Sequence, residues 1–309
     1  MKYIISTLAL SLLSSAGCAD HIDASDAWST HVIVESTPSP NDCDLQTARS
    51  LDPYRTVEHG VDFGQMNAKT ALAACEPHAQ VAFSALPEGT WAIKGEDRYA
   101  IRAIYQYARA LSKAGRDYDS FLVNEEAAKR GYPFAHYYKY QIFANGWGVD
   151  IDRVKALESL DEAVRLDVPI AFVQRADEAM KESLLKIDFN AVALDIAKAE
   201  TEQVDTARTW GRYYEKLAEY TLVAGCVKSL IGCPKEVKDM AKVDFVIHFG
   251  ELELINYSQG LQTARRFFQI YADGHPGNDY SVDKVKTLTL QIDRIEDVIS
   301  DKMDFRYVE

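Results

Sequence analysis

The chain has 309 residues, 47% of them hydrophobic, and a formal charge of −13 from 34 basic and 47 acidic residues. A chain of this length can bury a substantial core. Its acidic balance would repel nucleic-acid phosphates and gives no electrostatic attraction to anionic lipid, so no nucleic-acid partner is expected and membrane contact is expected only through an N-terminal lipid.

Met1 to Gly17 carries one basic residue, Lys2, then the apolar run Tyr3 to Leu13 and a group of small residues. That layout is a secretory signal, too short to span a membrane. It closes with S-A-G-C at Ser15 to Cys18, which resembles a bacterial lipobox, with Ser15 where the pattern usually has Leu. The resemblance implies lipidation at Cys18 and a periplasm-facing membrane lipoprotein. Ordinary cleavage near Gly17 or Ala19, giving a soluble periplasmic or secreted chain, is the alternative. After this signal (1–18), Asp20 to Asn41 is rich in Ser, Thr, Pro and Asp and reads as a tether. Cys43 to Gly64 is expected to be irregular, completing a segment over 19–66.

Five cysteines are present: Cys18, Cys43, Cys75, Cys226 and Cys233. With Cys18 lipidated or removed, four remain, an even number that in an exported chain suggests two disulfides. Three pairings are open, and local separation favours Cys43 with Cys75 and Cys226 with Cys233. No C-x-x-C and no histidine at ligand spacing occurs, so no metal is expected.

Helix is predicted over Asn67 to Ala85, then a loop over Glu88 to Gly95. Arg98 to Ala114 carries an apolar stripe at Ile101, Ile104, Tyr105, Ala108 and Leu111, the spacing of one helix face. A-G-R at Ala114 to Arg116 is a hinge, and Tyr118 to Arg130 is the partner helix. E-A-A-K-R-G-Y-P-F-A begins at Glu126 and E-A-V-R-L-D-V-P-I-A begins at Glu162, an offset of 36 residues. A fixed period in that range marks a helical repeat array. Between the two marks, Ala135 to Phe143 and Ala156 to Ala163 read as two helices. Gly146 and Gly148 end the first by allowing positive φ, and Asp152 can cap the second.

These residues resemble the Sel1-like repeat, a relative of the tetratricopeptide repeat. The match runs through A-x-Y at Ala135 to Tyr137, Phe143, G-x-G-V at Gly146 to Val149, D-x-x-K-A at Asp152 to Ala156, and Glu162-Ala163. Lys139-Tyr140 stands where the family has a Leu-Gly pair, and Ser159 or Leu160 replaces an aromatic residue. C-D-x-x-x-A at Cys43, D-P-Y at Asp52 and A-L-A-A-C at Ala71 to Cys75 resemble the lead-in of exported Sel1-type proteins of Gram-negative bacteria. The resemblance implies an all-α fold of helical hairpin repeats, a Sel1/TPR-like α-solenoid, over 67–187. Additional C-terminal helices are expected over 188–309.

In that second half, Thr206 to Ala224 shows one buried face at Trp210, Tyr213, Tyr214, Leu217, Thr221 and Ala224. Glu236 to Asn256 and Gln259 to Ala272 read as two further helices, and G-H-P-G at Gly274 to Gly277 as a break. The last helix carries Val285, Leu288, Ile292, Ile295 and Ile299 at heptad spacing. A helix capping the array is the first reading of that stripe, and a homodimer seam the second.

No phosphate loop, G-x-S-x-G or H-E-x-x-H motif occurs. The histidines are scattered, and His136 among its tyrosines suits packing better than catalysis. No cofactor and no catalytic residue are expected. Stacked hairpins form a concave groove lined by the first helix of each pair. Here that helix offers His136, Tyr138, Lys139, Tyr140 and Gln141 as the candidate partner-binding groove, since polar-tipped aromatics suit protein interfaces. Packing of those tyrosines against a neighbouring hairpin is the competing reading. The expected function is therefore an exported scaffold, not an enzyme, that binds a protein or peptide partner. A cell-envelope enzyme, or a regulatory subunit dimerising through its last helix, is the alternative.

Overall fold

The computed structural model describes residues 39–52, 54–85, 96–202, 204–229 and 251–306. Among the described residues the fold is all-helical, with no strand. In chain order the α-helices are α1 (Asp42–Thr47), α2 (Ala68–Ala85), α3 (Glu96–Lys113), α4 (Asp117–Lys129), α5 (Pro133–Asn145), α6 (Arg153–Arg165), α7 (Pro169–Ala179), α8 (Phe189–Thr201), α9 (Ala207–Ser229), α10 (Glu251–Gly274) and α11 (Asp279–Arg306). A 3₁₀ turn, Leu184–Lys186, joins α7 to α8. None of the described helices is long and apolar enough to cross a membrane.

Consecutive helices from α2 to α8 pack against one another, and so do α9, α10 and α11. The starts of α4 and α6, Asp117 and Arg153, are 36 residues apart, and so are those of α5 and α7, Pro133 and Pro169. Proline opens both α5 and α7, where its fixed φ suits the first turn and its missing N–H costs no helical bond. Just before each proline turn the chain passes through a left-handed residue, Gly131 at φ 77° and Asp167 at φ 56°. Aspartate is one of the few residues besides glycine that visit this region readily.

The main core runs from α3 to α8 and is rich in aromatics: Tyr105, Tyr132 and Phe134 are fully buried beside Ile104, Ile142 and Leu160. Small residues at Ala135, Ala156 and Ala163 let successive helices approach closely, and the rings fill the spaces between them. A second core lies within α9, α10 and α11, around Leu254, Leu261, Phe268, Leu288 and Ile292. A third cluster joins α7 and α8 to α9 through Met180, Leu184, Ile196 and Tyr213.

Three expectations change. The stretch expected to be irregular from Cys43 onward begins with helix α1, because Asn41 and Asp44 form a reciprocal capping box at its start. No break separates Asn256 from Gln259: both lie in α10, while residues 236–250 of the first expected helix lie outside the described residues. Gly260 lies inside α10 because α9 comes close there: a Cβ at that position would meet the Ala218 Cβ at 2.7 Å. The heptad stripe of α11 is not a free dimer seam, since Leu288, Ile292 and Ile295 are buried against α9 and α10 and Val285 and Ile299 pack beside them.

Gly148 shows how one hairpin meets the next. Its φ is 74°, and a Cβ on it would lie 2.4 Å from the backbone of Asp117 and Tyr118 at the start of α4. Replacing it therefore adds left-handed strain and a backbone clash together. Gly148→Ala is expected to lower the unfolding free energy by about 3 kcal/mol. Gly64→Ala, whose Cβ would enter open space, should change it by less than about 0.5 kcal/mol. Urea denaturation of the two variants checks the contrast.

Candidate functional site

The site begins with the way the N-terminal segment lies on α3 and α5. Cys43 on α1 is joined to Cys75 on α2 by a disulfide across a sequence separation of 32. Next to it, Asp44 and Arg102 form an ion pair, 2.8 Å apart, with both side chains almost wholly buried. Burial pushes the Asp44 carboxyl up, but hydrogen bonds from Thr56 and from the Asn41 N–H, together with the Arg102 charge, outweigh it and hold the carboxyl low. Gln106 donates to the same carboxylate at 3.0 Å. Further along, Tyr132 donates to the buried Asp52 carboxylate. Arg109 donates to the carbonyl oxygens of Thr47 and Val61, the latter at 3.2 Å. Arg102, Gln106 and Arg109 are spaced 4 and 3 residues apart on α3, so they form one stripe, and the segment covers it.

Between the segment and the helices a cavity of about 640 Å³ remains. Its segment wall is Arg49, Ser50, Leu51, Val61, Asp62 and Phe63. Its helix wall is Arg109 and Ser112 of α3, Asp117 of α4, Tyr138 and Gln141 of α5, and Trp147 in the following loop. The Arg49 guanidinium lies over the rings of Phe134 and Tyr137, 5.2 and 5.3 Å from their centroids. Trp147 and Phe63 are half-exposed, offering apolar faces next to cationic and hydroxyl groups. Ser112 donates to the Asp117 carboxylate at 2.8 Å. No imidazole lines this cavity. Among the described residues no group of three or more His, Cys, Asp or Glu side chains could hold a metal ion.

The five residues expected to share one groove are split. Tyr138 and Gln141 do line the cavity. Tyr138 is nonetheless buried, with its hydroxyl 3.3 Å from the Ser120 hydroxyl. Lys139 is paired with Glu125 at 2.7 Å. His136 is half-buried, and desolvation lowers its pKa, which favours the neutral imidazole. Tyr140 is buried and donates to Glu178 of α7. The helical turn separates these residues: positions 138 and 141 face one way, and position 140 faces the next hairpin. Tyr140 and Lys139 are thus packing and pairing residues rather than a free groove.

Arg49, Arg109, Phe63 and Trp147 had no motif to mark them. The one available signal was the polar stripe Arg102, Gln106 and Arg109 beside the apolar stripe of α3, which as a pattern reads as a solvated face. Of the expected disulfides, Cys43 with Cys75 is present. Cys18, Cys233 and the side chain of Cys226 lie outside the described residues.

Burial pushes the Glu178 carboxyl up, while hydrogen bonds from Arg153, Lys181 and Tyr140 bring it down to about 2. Its folded pKa is therefore depressed below the ordinary 4.5. The stability it contributes is fully present above the ordinary value and is lost as pH falls from there toward 2. Glu178→Gln should cost about 1–3 kcal/mol at neutral pH, and the gap between variant and native protein should narrow as pH is lowered through that window in denaturation curves. At the N-terminal segment, Asp44→Asn leaves Arg102 buried without its carboxylate and should cost about 3–5 kcal/mol, read from the shift in urea midpoint at unchanged slope.

No protein-family model matches the chain, and no curated protein sequence matches it.

Proposed function

We propose that the chain is an exported, Sel1/TPR-like helical-repeat scaffold that binds an extended segment of a protein partner in the cavity between its N-terminal segment and α3 and α5. The observation that carries this is the cavity itself: an open space of about 640 Å³ with aromatic faces at Trp147 and Phe63 and polar groups at Arg49, Ser50, Tyr138 and Gln141. Such a mixture suits a peptide, whose side chains need apolar contact and whose backbone needs hydrogen bonds. A binding role fits better than a catalytic one, because the Ser112 hydroxyl is held by Asp117 and no described imidazole stands by to act as base.

Support for the repeat reading comes from the 36-residue spacing of helix starts and from the left-handed residues at Gly131 and Asp167. The Cys43–Cys75 disulfide is the kind of bond that persists outside the reducing cytosol. It fits the export expected from the first 18 residues, with lipidation at Cys18 as the proposed anchor.

A photo-crosslinking residue placed at Gln141 tests the proposal, with the same residue at Leu194, exposed on α8, as control. Crosslinking in cells is expected to give a discrete protein adduct from position 141 that is lost on Trp147→Ala and is not formed from position 194. Equal labelling at both positions, or no adduct at 141, would sink the binding role of the cavity.

A further inference from the structure

We propose that the cavity contains a carboxylate subsite centred on Arg49, so that the bound segment is an acidic peptide, a proposal that rests on the groove reading above. Among the described residues the two guanidinium groups of the cavity have no carboxylate at ion-pairing distance. Arg109 spends donors on the carbonyls of Thr47 and Val61. Arg49 is held by ring faces, over Phe134 and Tyr137. The buried Tyr105 hydroxyl and the Tyr137 hydroxyl lie close enough to Arg49 to act on its charge. The buried Asp52 carboxylate acts on both guanidinium groups from beyond ion-pairing distance and already accepts from Tyr132, so one negative charge serves two neighbouring cations and a further anion would complete the balance.

The geometry selects the anion. A guanidinium stacked on aromatic rings keeps its edge for in-plane hydrogen bonds, and a planar fork matches a carboxylate with two parallel bonds. Arg109 has donors committed to backbone, so Arg49, whose neighbours are ring faces and neutral tyrosine hydroxyls, is the guanidinium left to take a single negative charge. A phosphate dianion would face the same single guanidinium while meeting the carboxylates of Asp62 and Asp117 in the cavity wall. Those two carboxylates also limit how many acidic side chains the segment can carry along its length. Trp147 and Phe63 then take an apolar neighbour of the acidic residue. The expected ligand is an extended peptide with one acidic side chain, or a terminal carboxylate, flanked by apolar residues.

The probe is a random peptide library displayed with free and with blocked C-termini, selected on the purified, oxidised chain. Counter-selection uses Gln141→Trp, which fills the cavity, after circular dichroism shows that it folds. Cavity-dependent peptides should be enriched in Asp, Glu or a free C-terminus. A selected peptide should lose about tenfold or more in affinity on Arg49→Gln, recover part of it on Arg49→Lys, and weaken with added salt. A merely structural Arg49 would not give that charge-dependent rescue. Cavity-dependent peptides with no acidic excess, or acidic peptides indifferent to Arg49→Gln, would overturn the carboxylate subsite and leave the peptide groove standing. Failure of any peptide to distinguish the native chain from Gln141→Trp would overturn the groove as well.

Discussion

Much of this molecule turns on one buried ion pair, Asp44 with Arg102. Two charges withdrawn from water are stable only when geometry and further hydrogen bonds repay the desolvation. Here Gln106, Thr56 and the Asn41 N–H complete the shell of Asp44, and the Tyr54 carbonyl accepts from Arg102 at 3.0 Å. The pair fixes the N-terminal segment on α3 in one register, and the Cys43–Cys75 disulfide ties it to α2 at the same point. A segment that could have trailed from the helices becomes part of the fold. The cavity exists only because of that: half its wall comes from residues 49–63 and half from the helices.

The same docking explains why the helix face under the segment is polar. Arg102, Gln106 and Arg109 would be ordinary surface residues on an isolated hairpin, yet all three are buried, each bonded to the segment. Tyr105 and Tyr132 sit alongside them, with ring centroids 5.4 Å apart, and join this polar layer to the main core. The polar layer orients the segment, since each bond has one geometry. The apolar core beneath supplies the non-directional part of the stability.

The rest of the chain is built by close approach of helices at small residues. Gly148 lets a loop touch the backbone at the start of α4, and Gly260 lets α10 lie against Ala218 of α9. The final helix α11 closes its own apolar stripe within the α9–α11 unit. A heptad pattern records only that a stripe must be covered. It does not record whether the cover is another molecule or the same chain, and here it is the same chain.

The 36-residue spacing of the marks at Glu126 and Glu162, the proline-opened helices, the apolar stripe of α3 and the Asp152 cap were legible in the sequence, because helix periodicity and caps are local physics. The pairing of Cys43 with Cys75 was also within reach of sequence separation. What no local pattern held was the burial of the polar stripe on α3, the helix in the segment expected to be irregular, and the turning of Tyr140 away from Tyr138 toward Glu178. These depend on contacts between residues far apart in the chain, such as Asp44 with Arg102 and Arg49 with Phe134. The sequence by itself therefore determined the helices and the spacing at which they recur. Only the tertiary structure decided that the N-terminal segment lies across α3 and α5, because a charge on a helix face reads the same whether its partner is water or a carboxylate 58 residues away.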